Sequence, residues 1–457
     1  MNYIGQDSRV DLRVKFIYRV GMSPMPEGLS VWRTLKGAGV KYVKFVIVDI
    51  FGRPKLEILP IDAARDAFID GIAYDGSSIP AYTTVNKSDF VAEVDADAVY
   101  IETWNGGKTA LAFTSTLDGD KPHPMDPRNA LKQTVEYLKS RGYEAKMGAE
   151  VEFFLVRGNP PSLVDSGAYF EGYPLKETMP VMEEIIEHFY LSGIGLTKTH
   201  HEVAPSQFEV NIPAGDPVQV ADQILVYKIL AKSVAQKYGL IATFMPKPFW
   251  GVNGSGMHIH VSFWRDGVNL FASYKEPTPE LKSAIAGVLN NALANSVFVA
   301  PIVNSYKRLV PHHEAPTRVV WGLGNRSAMV RVPYYGKKIN RFEYRHPDPS
   351  ANPYLGFSAI LLAAFEGLDK KLEPPSPVED IAYDLEGVKE TPKHLGEAVK
   401  LASEGVAAKT LPQQLVKAYL ALKEKEWSDY LASVSEGWDK TWNVITRWEY
   451  DQYLETA

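Results

Sequence analysis

The chain has 457 residues, is 45% apolar and 11% aromatic, and carries a formal net charge of −6. This composition is typical of a soluble globular protein with room for two or three domains, and its acidity argues against a nucleic-acid partner. The absence of cysteine excludes disulfides and thiolate metal sites.

The amino-terminal part of the chain predicts strands and no targeting segment. Its first residues, MNYIGQDSRVDLR, lack the apolar core of a secretory signal, and no stretch reaches the ~18 apolar residues of a membrane span. We therefore expect a cytoplasmic protein with no membrane partner. Residues 40–60, VKYVKFVIVDIFGRPKLEILP, predict two strands joined by a turn at FGRP.

A stretch rich in Pro, Asp and Gly, DGDKPHPMDP at 118–127, predicts a domain boundary. We place a small β-rich domain at 15–122 and a larger domain at 123–457. A helix should open the second domain, because Asp126 can cap it, Pro127 suits its first position and Gly142 can end it.

Strand and helix patterns alternate through the second domain, which indicates an α+β fold. Strands are predicted from YEAKMGAEVEFFLV, SQFEVNI and GSGMHIHVSFW, and helices from PVMEEIIEHFYLSG and DPVQVADQILVYKILAKSVAQKYG. Two later segments, LPQQLVKAYLALKEKEWSDYLASV and WDKTWNVITRWEYDQYL, also predict helices. We expect their Trp and Tyr side chains to pack on the body of the protein or on a neighbouring subunit.

The stretch MGAEVEFFLV at 147–156 places two glutamates in an otherwise buried strand. Because side chains alternate between the two faces of a strand, Glu150 and Glu152 point the same way. Two like charges on one half-buried face are costly unless a cation lies between them. The pattern therefore predicts a bound cation.

Other strand-like segments offer further carboxylates and imidazoles. A lone glutamate is ordinarily solvated, but several inward-facing ones would repel each other by about 4 kcal/mol per pair at ~4 Å and an effective dielectric near 20. Oxygen-rich ligation with one imidazole suits Mg²⁺ or Mn²⁺ better than zinc, and we predict two or more such ions per site. The candidates besides Glu150 and Glu152 are Glu202, Glu209, His258, His260 and Glu343.

Six basic residues lie within 38 residues of one another, on both sides of Glu343, the last of the acidic candidates. Each is ordinarily a surface ion-pair residue, but six beside a candidate metal site suit the phosphate oxygens that often accompany magnesium. They are Arg308, Arg326, Arg331, Lys338, Arg341 and Arg345. The segment NGGKTA is not a phosphate-binding P-loop, since Glu102 stands where its first glycine is required.

Seven motifs resemble, in order and spacing, those of type I glutamine synthetase. They are YDGSSIPAY, AEVEFF, HHEVAPSQFE, GVNGSGMHIH, NSYKRLVP, NRSAMVRVP and FEYRHPDPSANPYL. The resemblance covers nearly the whole chain. It implies a small β-grasp-like amino-terminal domain and a catalytic domain built on a curved antiparallel sheet, a half-barrel flanked by helices.

The resemblance also implies a role for each matching residue. The first metal would be bound by Glu152, Glu202 and Glu209, and the second by Glu150, His258 and Glu343. ATP or its phosphates would contact His260, Ser262, Arg331, Lys338 and Arg341. Substrate glutamate would contact Asn253, Gly254, Arg308, Glu314 and Arg345.

Three catalytic roles are implied in addition. Arg326 would neutralise the transferred phosphoryl group, and Glu314 would close a flap over the intermediate. Asp75 and Asp89 would form the ammonium site of the neighbouring subunit, with Asp75 accepting a proton from ammonium. From the residues alone, Asp75 could equally form an Asx turn beside Gly76.

The implied reaction is the ATP-dependent ligation of ammonia to the γ-carboxylate of glutamate, through γ-glutamyl phosphate, to give glutamine, ADP and phosphate. The implied assembly is a homo-oligomer, a dodecamer of two hexameric rings with sites between subunits. Two other functions stay open. A γ-glutamyl ligase of the same fold could use an amine or polyamine acceptor, and a catalytically inactive homologue would be expected to lack metal ligands, none of which is missing.

The sequence departs from the family's usual pattern at several positions. His312 and His313 occupy flap positions where most members carry glycine and tyrosine, and histidine cannot adopt glycine's backbone angles cheaply. Thr197 stands where a glutamate near the nucleotide is usual. Pro80 and Ala81 replace the residues that commonly follow DGSSI.

Tyr383 aligns with the tyrosine that some bacterial members adenylylate. The interval between Glu152 and Glu202 is short and lacks the insertion typical of that regulated subgroup. We therefore predict that Tyr383 is not adenylylated.

Overall fold

The computed structural model describes residues 27–173 and 175–457. The start of the predicted amino-terminal domain, 15–26, lies outside these ranges, and the domain limits stay a prediction. The helices are α1 (Glu27–Gly37), α2 (Ala64–Asp70), α3 (Pro127–Ser140), α4 (Met179–Leu191), α5 (Pro217–Lys237), α6 (Pro279–Val299), α7 (Ser305–Arg308), α8 (Pro353–Lys370), α9 (Leu395–Leu401), α10 (Val406–Thr410), α11 (Gln413–Ser433), α12 (Trp438–Thr441) and α13 (Arg447–Tyr453).

The strands form two large sheets and one small ribbon. They are β1 (Tyr42–Val48), β2 (Pro54–Pro60), β3 (Ile72–Asp75), β4 (Asp89–Ile101), β5 (Thr109–Asp118), β6 (Lys121–Pro122), β7 (Glu144–Arg157), β8 (Ser162–Leu163), β9 (Lys198–His201), β10 (Gln207–Gly215), β11 (Ile241–Thr243), β12 (Met257–Arg265), β13 (Val268–Asn269), β14 (Ser273–Tyr274), β15 (Trp321–Leu323), β16 (Val330–Val332), β17 (Lys338–Ile339) and β18 (Phe342–Tyr344). Among the described helices, none is both long and apolar enough to cross a membrane.

The amino-terminal sheet has the strand order β2-β1-β5-β4-β3 and packs against α1 and α2. The hairpin partners β1 and β2 are antiparallel, as the turn at FGRP predicts, whereas β1 and β5 are parallel. Apolar residues that alternate along β1 bury one face of the sheet, where Phe45 meets Phe68 of α2 at 5.8 Å between ring centroids. This arrangement is a β-grasp.

The second sheet has the order β15-β16-β18-β12-β7-β10-β9, with the long strand β7 near its middle. The pair β15–β16 is parallel, and the other pairs along this path are antiparallel. Helices α3 and α5 cover one face of β7, and α8 packs on α3 and α6 behind them. The sheet curves into a half-barrel whose other face is left to polar side chains. The predicted α+β fold is confirmed.

Helix α3 begins as predicted. The Asp126 side chain accepts hydrogen bonds from the backbone N–H of Arg128 and Asn129, and Pro127 is the first helical residue. The pattern WDKTWNVITRWEYDQYL, in contrast, does not form one helix. Thr446 and Glu449 form a capping box that starts α13 afresh, so the segment splits into α12 and α13.

Asn352 joins the two domains and caps α8. Its side chain accepts hydrogen bonds from the N–H of Tyr354 (3.0 Å) and Leu355 (3.3 Å), and it donates one to the carbonyl of Ile50 (3.1 Å). Gly52 packs against it so closely that a Cβ there would lie 2.7 Å from the Asn352 Cα.

We expect Asn352→Ala to lower the free energy of unfolding by about 1–3 kcal/mol, because it removes a helix cap and leaves a buried carbonyl unsatisfied. Asn352→Asp keeps the capping acceptor but turns a carboxylate oxygen, which cannot donate, toward the Ile50 carbonyl, so it should also lower the stability. Thermal and denaturant unfolding of the three proteins measures this. An alanine variant as stable as the parent would show that this cap is dispensable.

Candidate active site

The register of four neighbouring strands brings the predicted acidic residues onto one face. Glu150 lies opposite His258, Glu152 opposite Glu209, and His260 opposite Glu343. The alternation of β7 points both of its glutamates at this face, while Val151 and Phe153 are fully buried in the core. Glu202 follows directly after β9, at the end of the same sheet.

Three groups of these side chains each offer three ligand atoms within 4.8 Å of one another. The first consists of Glu150, His258 and Glu343, which is the set predicted for the second metal. The residues predicted for the first metal are spread over the other two groups. Glu152 and Glu209 form one with His258, and Glu202 and Glu209 form the other with His200. His200 was not predicted, although its position two residues before Glu202 is a detectable signal.

The carboxylates of the cluster cannot all be ionised without a compensating cation. Burial and the neighbouring Glu202 raise the pKa of Glu152 to about 8. Burial, Glu150 and Glu152 raise the pKa of Glu209 well above its ordinary value. For Glu150, burial is outweighed by hydrogen bonds from His258 and His260, which lower its pKa.

The donor set fits a divalent cation. Burial, with help from Arg345, lowers the pKa of His258 to about 4, so its imidazole is neutral and able to bind a metal at neutral pH. The Nδ1 atom of His200 is buried and has no hydrogen-bond partner among the described residues. A buried carboxylate cluster with an orphaned imidazole nitrogen is the environment in which a cation would supply the missing charge and contact.

Glu343 is held between two arginines beneath the surface of the site. Arg331 Nη1 and Arg345 Nη1 each donate to one of its oxygens at 2.5 Å, and its side chain is fully buried. Burial opposes ionisation, but Arg345 and His260 lower the pKa of Glu343 to about 2. Arg308 supports the arrangement by donating to the carbonyls of His346 and Arg345.

A cavity of about 280 Å³ lies over the carboxylate cluster. Arg326 lines it, and so do all five residues predicted to bind glutamate, which are Asn253, Gly254, Arg308, Glu314 and Arg345. Gly254 is required there, since a Cβ would lie 2.3 Å from the carbonyl oxygen of Pro246. Gln207 and Tyr169 also line this cavity and were not predicted; Gln207 donates to Glu152 Oε2 at 3.2 Å.

A second cavity of about 570 Å³ adjoins the first, and Glu150 and Arg326 line both. It contains four of the five residues predicted to bind ATP: His260, Ser262, Arg331 and Arg341. Arg341 Nε donates to His260 Nδ1 at 3.1 Å, and His260 Nε2 lies 2.9 Å from Glu150 Oε1. The fifth, Lys338, lines neither of these two cavities.

Thr197 also lines the second cavity, where the family usually has a glutamate. Its hydroxyl donates to the carbonyl of Asn211 at 3.1 Å. The side chain therefore contributes no charge at this point of the cleft.

The segment predicted to form a flap reaches over the first cavity. Asn253 Nδ2 donates to Glu314 Oε2 at 3.5 Å, which links the two sides of the opening. His312 has φ +63° and Glu314 φ +58°, so both residues adopt the left-handed conformation that favours glycine. The His312 ring packs on Tyr383 at 5.1 Å between centroids. The absence of adenylylation on Tyr383 stays a prediction.

Asp75 and Asp89 face each other across β3 and β4 but line neither cavity of their own chain. Asp75 Oδ1 accepts hydrogen bonds from the N–H and hydroxyl of Ser77, at 2.8 and 2.6 Å. These bonds, with one from Ser78, lower the pKa of Asp75. The Asx turn considered for Asp75 is therefore present.

Known proteins match this chain over nearly its whole length. The family model for the glutamine synthetase beta-grasp domain matches residues 39–119, and that for the glutamine synthetase catalytic domain matches residues 124–442. A glutamine synthetase of Pyrococcus furiosus is 37% identical over 426 residues, 91% of this chain and 97% of that protein. One of Thermotoga maritima is 36% identical over 445 residues, 93% of this chain and 99% of that protein.

The chain is also similar to solved structures. A GmaS/ADP complex has a TM-score of 0.82 and 28% sequence identity, and the alignment covers 92% of this chain and 98% of that one. These findings place the protein among the ligases that form carbon–nitrogen bonds. Within that class, the chain belongs to the glutamine synthetase family, and the resemblance noted in its sequence is confirmed.

Proposed function

We propose that the protein ligates ammonia to the γ-carboxylate of L-glutamate with consumption of ATP, giving glutamine, ADP and phosphate. One observation carries the proposal: Glu150 and Arg326 line both cavities. A carboxylate substrate beside Arg308 and Arg345 would therefore meet a phosphate donor beside His260 and Arg341 above the same carboxylates. The glutamine synthetases of Pyrococcus and Thermotoga support this assignment.

We further propose that the cluster binds two or more Mg²⁺ or Mn²⁺ ions. Glu150, His258 and Glu343 would hold one of them. The first-site residues Glu152, Glu202 and Glu209 would hold another, with His200 beside them. When bound, such ions neutralise the charge of the transferred phosphoryl oxygens.

The chemistry divides into two steps. An oxygen of the substrate γ-carboxylate attacks the γ-phosphorus of ATP, the bond to the β-phosphate oxygen breaks, and ADP leaves. Arg326 and Arg331 would stabilise the negative charge of the phosphoryl group in flight. Ammonia then attacks the acyl carbon, and the carbon–oxygen bond breaks to release phosphate. Glu314 would keep water from this intermediate.

Ammonium must lose a proton before it can attack, and Asp75 of a neighbouring subunit is proposed to accept it. Asp75 is exposed and lines neither cavity of its own chain, which supports a site completed between subunits. We accordingly propose a homo-oligomer, a dodecamer of two hexameric rings. The cytoplasmic location stays an expectation.

The acceptor is tested by measuring phosphate release from ATP with glutamate and Mg²⁺, using ammonium, methylamine, ethylamine and putrescine in parallel. Ammonium-dependent release with formation of glutamine is the expected result. Turnover with an amine but not with ammonium would assign the chain to γ-glutamyl amide ligation. It would place the acceptor specificity at His312, His313 and residues 79–82, IPAY.

Asp75→Asn should lower kcat for glutamine formation by about 10²–10³-fold, because the amide cannot accept the proton of ammonium. The thermal midpoint should be unchanged, since asparagine preserves an acceptor for the turn. Asp66→Asn, an exposed change on α2, serves as the control. Full activity of the Asp75 variant would remove this residue from the mechanism.

A further inference from the structure

The helix α13 carries a buried carboxylate that the chemistry above does not use. Glu449 and its partner Lys307 are both fully buried, with 2.6 Å between Lys307 Nζ and Glu449 Oε2. Glu449 also accepts hydrogen bonds from the N–H and hydroxyl of Thr446, at 2.8 and 2.9 Å, and from Asn304 Nδ2 at 2.8 Å. Four donors thus converge on one side chain.

Two of these donors, Asn304 and Lys307, lie in the segment 304–308, whose last residue lines the glutamate pocket. Lys307 directly precedes Arg308 on α7, and Arg308 lines the first cavity. Lys307 is further fixed by the carbonyl of Val444 at 2.6 Å and the hydroxyl of Tyr430 at 3.1 Å. Contacts made by the carboxyl-terminal region therefore fix Lys307, and through it the backbone of the adjacent Arg308.

The third partner, Asn304, extends the network to the loop on the other side of the pocket. Its amide accepts from the N–H of Lys247 at 2.7 Å and donates to the carbonyl of the same residue at 2.9 Å. Residues 246–254 form this loop, which ends with Asn253 and Gly254 at the cavity. Glu449 therefore contacts, through one asparagine, the backbone that places two pocket residues.

Neighbouring residues of the carboxyl-terminal region hold the same loop independently. The Tyr450 hydroxyl donates to the carbonyl of Pro248 at 3.0 Å. The Trp250 and Trp442 rings meet edge to face at 5.2 Å between centroids. Residues 442 and 450 thus contact the loop 246–254 directly, and Glu449 reaches it through Asn304.

We infer that Glu449 is a positioning residue for glutamate binding and that residues 442–450 are the support that orders the loop 246–254. The inference rests on the proposed function, since it concerns the glutamate pocket of that reaction. Glu449 reaches Arg308 through Lys307, and Asn253 and Gly254 through Asn304. Loss of its charge would loosen both walls of this pocket and leave the second cavity unchanged, because no hydrogen bond of Glu449 within the described residues reaches the lining of that cavity.

The test is steady-state kinetics of the full-length enzyme with Glu449→Gln, Tyr450→Phe and Glu426→Gln. In Glu449→Gln, the amide NH₂ replaces a carboxylate oxygen and cannot accept the hydrogen bonds that this oxygen accepted. The buried Lys307 would also lose its counter-ion. We expect KM for glutamate to rise about tenfold or more, and KM for ATP to stay within about twofold. Tyr450→Phe removes one hydroxyl and should raise KM for glutamate by about two- to fivefold.

Glu426→Gln is the matched control. Glu426, on α11, contacts the other end of α13 by accepting a hydrogen bond from the Tyr453 hydroxyl at 2.7 Å. Its other bond is to Lys423, and among the described residues it makes no hydrogen bond to the loop 246–254. It should change neither KM. Equal shifts in both KM values, or the same shift in Glu426→Gln, would overturn the inference and leave Glu449 a purely structural residue.

The two proposals fail in different ways. A parent enzyme with no glutamate-dependent phosphate release would contradict the proposed function. An active parent whose Glu449→Gln and Tyr450→Phe variants keep the parental KM for glutamate would contradict only the positioning role. If Glu449→Gln does not fold, Tyr450→Phe against Glu426→Gln decides the question alone.

Discussion

Replacing Glu343 by glutamine should lower glutamine formation by about 10²–10³-fold and weaken Mn²⁺ binding by at least about tenfold. The reason is the number of charges that converge on this one carboxylate. It is fully buried, pairs with Arg331 and Arg345 at 2.5 Å each, and has one oxygen 3.9 Å from His258 Nδ1. Removing its charge also leaves two buried arginines uncompensated, which should cost about 3–5 kcal/mol of stability.

The measurements for this variant are steady-state rates, Mn²⁺ titration by calorimetry and thermal unfolding. Glu390→Gln is the control, because Glu390 also pairs with an arginine, Arg318, but is exposed. It should change none of the three quantities measurably. A Glu343→Gln enzyme with parental Mn²⁺ affinity would show that Glu343 pairs with the arginines and does not bind the metal.

Removing divalent cations should make the stability of the protein fall as the pH rises from about 4.5 to about 8. In the metal-free protein, burial raises the pKa of Glu152 to about 8, and that of Glu209 also lies above its ordinary value. The unfolded chain releases these protons near pH 4.5, so between that pH and about 8 the folded state holds more protons. Its stability therefore falls as pH rises through this window. Cation binding to the ionised carboxylates removes the fall and releases protons.

Thermal midpoints with EDTA and with saturating Mn²⁺, at about pH 5.5 and about pH 8, measure the effect. We expect the increase in midpoint caused by Mn²⁺ to be larger at the higher pH. Glu209→Gln sharpens the test, since a neutral amide should stabilise the metal-free protein at about pH 8 while reducing the gain from Mn²⁺. If Mn²⁺ raised the thermal midpoint by the same amount at both pH values, the assignment of these carboxylates to a cation site would be contradicted.

Much of the site follows from patterns that are local in sequence. The alternation of β7 places Glu150 and Glu152 on one face, and the cap and proline at Asp126 and Pro127 mark the start of α3. The pairing of distant segments does not follow from such patterns. The contact of His260 with Glu343 depends on the register of β12 and β18, which periodicity within either strand does not report.

The residues that the sequence did not predict share a physical reason. Tyr169 lies in a loop, Gln207 at the first residue of β10 and His200 in the four-residue strand β9, segments too short or too irregular for a periodic pattern to be recognised. Only His200 has a local signal, its position two residues before Glu202. The break between α12 and α13 was missed because Thr446 and Glu449 can cap a new helix inside an apolar pattern that otherwise continues. The positions of Asp75 and Asp89 relative to a neighbouring subunit depend on assembly rather than on the fold of one chain.

The central claim is that the γ-carboxylate of glutamate is phosphorylated before the nitrogen attacks. Glutamate carrying ¹⁸O in both γ-carboxylate oxygens tests it directly, in the presence of ATP, ammonium and Mg²⁺. The proposed reaction breaks the bond between the acyl carbon and the transferred oxygen, so each released phosphate should contain one ¹⁸O atom by mass spectrometry. Glutamine formed together with unlabelled phosphate would contradict the account.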